Sequence, residues 1–134
     1  MEPERRVRIT TDSDIVAARD EGRRVAATLN FSSSDLTVIA TAISEVARNI
    51  LSYAGSGDIE LSRLERNGRW GIAIVARDNG PGIADVRQAL EDGYSTSGSL
   101  GLGLPGVRRL MDDFEIQSAP GTGTVVTCRK WARL

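Results

Sequence analysis

Histidine is absent from this chain of 134 residues, and Cys128 is its single cysteine. These two absences exclude Ser/His and Cys/His nucleophilic catalysis, a structural zinc site and an internal disulfide bond. Only oxygen ligands are left for a metal ion. Lys130 is the sole lysine among 17 basic residues, so a P-loop that ends in Gly-Lys-Ser/Thr is excluded as well.

Long apolar runs are also missing from the sequence. No run approaches the ~20 residues that a membrane span needs, and residues 1–10 carry charges where a signal peptide would be apolar. The formal net charge of -1 provides no overall attraction to nucleic acid. We therefore expect a cytoplasmic protein with neither a membrane nor a nucleic-acid partner.

The length and composition predict a single domain over residues 1–134, because 40% hydrophobic and 26% charged residues are typical of a soluble globular chain. The expected order is β α α β β α-loop α β β. Strands are predicted at 7–10, 59–61, 70–76, 114–118 and 124–131, and helices at 13–30, 34–52, 85–91 and 104–113. Tight turns such as Asn67-Gly68 favour a mostly antiparallel, mixed sheet with helices on one face, an α+β fold with the layers of a two-layer α/β sandwich.

The second predicted helix has two distinct faces. Its apolar residues recur every three or four positions and predict a face that packs on the core, namely Leu36, Ile39, Ile43, Val46 and Ile50. A narrow arc of the opposite face is polar, and it comprises Thr41, Glu45, Asn49 and Ser52. A polar seam therefore runs along one side of this helix.

Three glycine patterns follow in order: Asp78-Asn79-Gly80-Pro81-Gly82, then residues 101–106 (GLGLPG), then residues 121–124 (GTGT). Each alone is weak, but the first two after Glu45-x-x-x-Asn49 arise by chance on the order of once in a hundred chains of this composition. A dinucleotide-binding turn would need a buried strand directly before its glycines. The second pattern instead follows a polar loop and enters a helix whose N-terminus could hold phosphate oxygens.

Together these residues resemble the ATP-binding fold shared by gyrase, Hsp90, histidine kinases and MutL, the GHKL or Bergerat fold. The likeness is more specific in four stretches, which are similar to the RsbT-type serine-protein kinases of bacterial stressosomes. These stretches are residues 45–50 (EVARNI), 53–55 (YAG), 91–97 (EDGYSTS) and 101–107 (GLGLPGV).

This resemblance implies Mg²⁺ and ATP as cofactors and a role for each motif. Asp78 would accept a hydrogen bond from the adenine amino group, although the residues alone leave an Asx turn as its other reading. Asn49 would hold Mg²⁺, and Glu45 would be the base that takes the proton of the acceptor hydroxyl. The other implied nucleotide-binding residues are Gly80 and Gly82 beside the base, and Ser95, Thr96, Gly101, Gly103, Gly106 and Thr124 around the phosphates.

The same resemblance implies a serine/threonine kinase that phosphorylates STAS-domain proteins, an RsbS-like antagonist and an RsbR-like scaffold, and that activates an RsbU-like phosphatase when released. One departure from the family concerns the γ-phosphate. Related anti-sigma kinases carry a basic residue just before the second glycine pattern, where it can meet this phosphate, but residues 97–100 contain none. Arg108 and Arg109 are the closest basic residues. Two alternatives stay open: an ATP-gated binding switch without transfer, and an anti-sigma factor kinase of the RsbW or SpoIIAB type.

Overall fold

The computed structural model describes residues 3–83, Leu90 and residues 103–133. Three helices and five strands lie in these ranges, in the predicted order: β1 (Arg5–Ile9), α1 (Asp12–Ala27), α2 (Ser33–Tyr53), β2 (Gly57–Arg66), β3 (Arg69–Asp78), α3 (Gly103–Leu110), β4 (Asp113–Ala119) and β5 (Gly123–Trp131). The short helix predicted at 85–91 falls almost wholly outside the described residues. None of the helices described is long and apolar enough to span a membrane.

The five strands form one sheet in the order β1-β2-β3-β5-β4, and all four neighbouring pairs are antiparallel. The predicted α+β sandwich is confirmed, but its sheet is antiparallel rather than mixed. The difference arises after β3, where the connection through α3 places β4 parallel to β3 but two positions away. The hairpin strand β5 fills the gap, so no two neighbours are parallel.

The helices cover one face of the sheet and enclose the core with it. The apolar face predicted for α2 is buried, with Ile39 and Ile43 wholly inaccessible to solvent, and it packs with the inward side chains of β2 and β3. Helix α1 approaches α2 closely at Gly22, where an added Cβ would lie 2.0 Å from Ile43 Cδ1. Burial of these aliphatic side chains is the main force that fixes α2 on the sheet.

The backbone is crowded at the carboxyl end of β3. Asp78 is paired with Gly57 of β2 on one side and with Thr124 of β5 on the other. A Cβ at Gly57 would lie 2.3 Å from the carbonyl oxygen of Arg77, and a Cβ at Gly123 would lie 2.2 Å from the carbonyl oxygen of Asp78. Glycine at both positions therefore lets the neighbouring chain segments meet around the end of β3.

We expect Gly123→Ala to destabilise the fold more than Gly121→Ala, its matched control. Both glycines have φ of +81°, but an added Cβ at Gly121 meets nothing within 4 Å. The control change should therefore cost about 1 kcal/mol for the left-handed backbone alone, whereas the clash at Gly123 should raise the loss to about 3 kcal/mol. Urea unfolding measures both losses, and equal values would contradict the close approach.

We also expect Cys128 to be unreactive in the folded protein. It lies on β5 with no solvent exposure, and burial raises the pKa of its thiol to about 12. The reactive thiolate is then on the order of one molecule in ten thousand at pH 8. Titration with a thiol reagent should show no fast labelling until denaturant is added, and rapid stoichiometric labelling of the native chain would refute this.

Candidate active site

Asp78 is the last residue of β3, and its half-buried side chain lies at the end of the central strands. One carboxylate oxygen, Oδ1, accepts a hydrogen bond of 2.9 Å from the backbone N–H of Gly80. The Asx turn considered from the sequence is therefore present. The second oxygen, Oδ2, accepts no hydrogen bond within the described part of the chain, so the turn leaves it available to a ligand.

The first and third glycine patterns contact each other. Gly82 has φ of +79°, and a Cβ there would lie 2.0 Å from the carbonyl oxygen of Ala119, the last residue of β4. The N–H of Gly121 donates a 2.8 Å hydrogen bond to the carbonyl oxygen of Pro81. The loop after Asp78 is thus held by the turn that carries the third pattern.

Helix α2 supports the same loop from the other side. A Cβ at Gly80 would lie 2.6 Å from Ala54 Cβ, just beyond the end of α2. The contact places the loop after Asp78 against the C-terminal end of the helix that carries Asn49. The predicted adenine contact and the predicted metal ligand therefore belong to adjoining parts of the fold.

Two hydroxyl groups brace this loop. Thr124 is buried opposite Asp78, and its Oγ1 lies 2.8 Å from Ser118 Oγ on β4. Ser118 also accepts a 2.7 Å hydrogen bond from the N–H of Ile83 and donates one of 2.9 Å to the carbonyl oxygen of Gly123. No sequence motif marks Ser118. The register places Thr124 beside Asp78, while its contact with the phosphates stays a prediction.

Glu45 connects α2 to the second glycine pattern. Its side chain is 10% exposed, and Oε2 accepts a hydrogen bond of 3.2 Å from the N–H of Gly103, the first residue of α3. Its other oxygen, Oε1, pairs with a guanidinium nitrogen of Arg48 at 2.8 Å. A nearly buried carboxylate thus lies at the N-terminus of a helix, where anionic groups are bound favourably.

Asn49 follows Glu45 by one helical turn and is half-buried. Within the residues that the structure describes, no three carboxylates or thiols cluster as they would around a dedicated metal ion. A magnesium ion held by one amide oxygen, nucleotide phosphates and water fits this donor set, because Mg²⁺ usually keeps several waters in its coordination shell. Asn49 is the residue that could hold it.

Only some of the other residues predicted to contact the phosphates lie in the described part of the chain. Gly103 and the buried Gly106 lie in α3, whereas Ser95, Thr96 and Gly101 fall outside the described residues. Arg108 and Arg109 occupy the last turn of α3, about 8 Å along the helix axis from Gly103.

A different arginine, Arg48 of α2, contacts Glu45, which lies at the N-terminal end of α3. The sequence signals this contact only through the spacing of three residues between Glu45 and Arg48, and oppositely charged residues at this spacing are common on helix surfaces.

Comparisons with known proteins place the chain in a family. Residues 9–130 match the family described as the histidine kinase-like ATPase domain. The serine/threonine-protein kinase RsbT of Bacillus subtilis strain 168 is 54% identical over 95% of this chain and 96% of its own length. An anti-sigma F factor of Caldanaerobacter subterraneus subsp. tengcongensis is 29% identical over 79% of this chain and 77% of its own length.

Solved structures share the fold at low sequence identity. The mycobacterial sensor histidine kinase MprB aligns with a TM-score of 0.58 and 18% identity, over 96% of this chain and 97% of that chain. The RsbU and RsbW domains of Rv1364c from Mycobacterium tuberculosis align with a TM-score of 0.62 and 19% identity, over 98% of this chain and 34% of that chain. The chain therefore belongs to the histidine kinase-like ATPase domain family and, within it, to the RsbT serine/threonine-protein kinases.

Proposed function

We propose that this kinase transfers the γ-phosphoryl group of ATP to serine or threonine residues of STAS-domain proteins, an RsbS-like antagonist and an RsbR-like scaffold of a stressosome. When it is released from them, it binds and activates an RsbU-like PP2C phosphatase. The identity of 54% to the Bacillus subtilis kinase supports the proposal because it extends over 95% of this chain, and so over its surfaces as well as its nucleotide motifs.

The contact between Glu45 and the N–H of Gly103 carries the catalytic part of the proposal. Free N–H groups at the start of a helix are suited to bind phosphate oxygens. In a chain without histidine, a carboxylate at this position is the side chain best suited to take a proton beside a bound phosphate. Glu45 is therefore assigned as the general base.

The transfer needs little covalent chemistry from the protein. The acceptor oxygen forms a bond to the γ-phosphorus while the bond from that phosphorus to the bridging oxygen breaks, and its electron pair leaves with ADP. Glu45 takes the hydroxyl proton. A bound Mg²⁺ would neutralise charge on the phosphates, with Asn49 as its protein ligand, and positioning supplies most of the remaining rate.

The adenine end of the site is formed by the loop after β3. Oδ2 of Asp78 accepts a hydrogen bond from the adenine amino group, while Oδ1 keeps the turn to Gly80. Gly82, held against Ala119 at positive φ, lets the base approach the backbone. Adenine recognition thus depends on one carboxylate that has two separate tasks.

An anti-sigma factor kinase is the second candidate, because anti-sigma F factors are also relatives of this chain. Their likeness is weaker, at 29% identity over 79% of this chain for the factor described above. Parallel pull-downs against a sigma factor and against STAS-domain proteins separate the two functions. Binding to the sigma factor alone would favour the anti-sigma candidate.

We expect Glu45→Gln to lower phosphate transfer to an RsbS-like protein by about 10²- to 10⁴-fold, the usual contribution of a general base. The amide keeps an oxygen that can accept from Gly103, so the nucleotide Kd should be unchanged. Transfer is measured with γ-³²P-labelled ATP, and the Kd is measured by calorimetry. The same loss is expected whether the acceptor is the antagonist or the scaffold.

Glu65→Gln is the matched control, since Glu65 is exposed on β2 at the far end of the sheet. It should transfer phosphate at the rate of the wild type. Undiminished transfer by Glu45→Gln would remove Glu45 as the base. Transfer too weak to detect in the wild type, with tight ATP binding, would instead favour a switch that binds without catalysis.

A further inference from the structure

A cavity of about 480 Å³ lies between α1 and α2, and it borders the nucleotide motifs at Glu45. Its charged lining consists of Arg19, Asp20 and Arg23 from α1 and of Glu45 and Arg48 from α2. The rest is small or hydroxylated, and the hydroxyl groups of Thr37, Thr41 and Ser44 each donate to a backbone carbonyl of α2 itself. Charged side chains are therefore the groups that it offers to a ligand.

Glu45 lies at the border between this cavity and the nucleotide motifs. Around the axis of α2, Asn49 lies about 40° to one side of Glu45 and Arg48 lies about 60° to the other. One oxygen of Glu45 contacts Gly103, while the other contacts Arg48 on the wall of the cavity. A group in the cavity thus approaches Glu45 from the side away from the metal ligand.

The charges of the cavity are unbalanced. Its three arginines and two carboxylates leave a formal charge of +1. Arg19 pairs with Asp20 at 3.6 Å and Arg48 pairs with Glu45 at 2.8 Å. Arg23 makes no ion pair or hydrogen bond to the part of the chain that the structure describes. The cavity is therefore suited to one anionic side chain, with Arg23 as its first partner.

We propose that this cavity binds an acidic side chain of the protein substrate, close to the acceptor hydroxyl, with Arg23 and Arg48 as its ligands. The inference rests on the proposed function, because it requires a protein acceptor on this side of Glu45. An Asp or Glu carboxylate matches the charge of the cavity and the planar donors of the two guanidinium groups.

Binding of this carboxylate has a consequence for the base. The pair between Arg48 and Glu45 spans three residues of one helix, and the Arg48 side chain is 41% exposed, so its guanidinium group can turn from Glu45 to a second carboxylate. When Arg48 turns to the substrate, Oε1 of Glu45 loses its partner and can accept the hydroxyl proton. Docking and activation of the base are then one event.

Steady-state kinetics with a purified RsbS-like STAS-domain protein test the inference. We expect Arg23→Gln to raise the KM for this protein about tenfold, the change that follows from ~1.4 kcal/mol of lost binding. The kcat and the nucleotide Kd should stay within twofold of the wild type. The KM of the wild type should rise with salt, and more steeply than that of Arg23→Gln.

Arg24→Gln is the matched control, because it removes the same charge from the next residue of α1. Arg24 pairs with Glu21 and does not line the cavity, so its KM should equal that of the wild type. For the second ligand, Arg48→Gln should raise the KM and Arg48→Lys should restore most of the loss. Such a rescue would show that the positive charge of residue 48, rather than the packing of its side chain, binds the substrate.

An unchanged KM for Arg23→Gln would overturn the docking site, and so would an equal rise for Arg24→Gln, which would indicate a general effect of charge. These outcomes presuppose transfer by the wild type, so they refute the inference while the proposed function stands. Absence of transfer from the wild type to any STAS-domain protein would refute the proposed function first.

Discussion

Close backbone packing at the carboxyl end of β3 is the constraint on which the site depends. Gly57 and Gly123 flank this end on the two neighbouring strands, and neither position has room for a Cβ. Gly80 adds the contact to Ala54 just beyond α2. These contacts fix the position of Asp78 relative to the helix that carries the other polar residues. In our account, a carboxylate and an amide far apart in sequence thereby serve one nucleotide.

Helix α2 connects the nucleotide motifs with the cavity towards α1. Its buried face holds it on the sheet, and its polar face brings Glu45 to the first residue of α3. The same carboxylate also contacts Arg48 on the wall of the cavity towards α1. In our account, nucleotide and protein substrate approach Glu45 from its two sides on the same helix. Phosphoryl transfer by this chain then needs no histidine, since positioning and charge neutralisation supply most of the rate.

The long periodic elements were predictable from the sequence because burial fixes their faces. The buried and polar faces of α2 follow from its apolar period, and the strand after Asn67-Gly68 follows from the turn and from its run of small and apolar residues. The antiparallel sheet was not predictable, since it depends on β5 entering between β3 and β4. Local patterns carry no information about such an insertion.

The candidate site was predictable to a similar extent. The glycine patterns mark places where backbone segments meet, and two of them do contact each other. Their contact with Ser118 was hidden, because a serine in a strand has no distinguishing spacing. The pair of Glu45 and Arg48 was hidden for a different reason, since residues three apart on a helix often carry opposite charges without any function.

The most direct measurement compares two nucleotides and two proteins: ATP and purine riboside triphosphate, which lacks the amino group, with the wild type and Asp78→Asn. In the variant, Oδ1 can keep the turn to Gly80, which leaves an amide NH₂ as a donor facing the base. We predict that the wild type prefers ATP by about 10- to 100-fold, the worth of one such hydrogen bond, and that the variant loses this preference. An undiminished preference for ATP in Asp78→Asn would contradict the account.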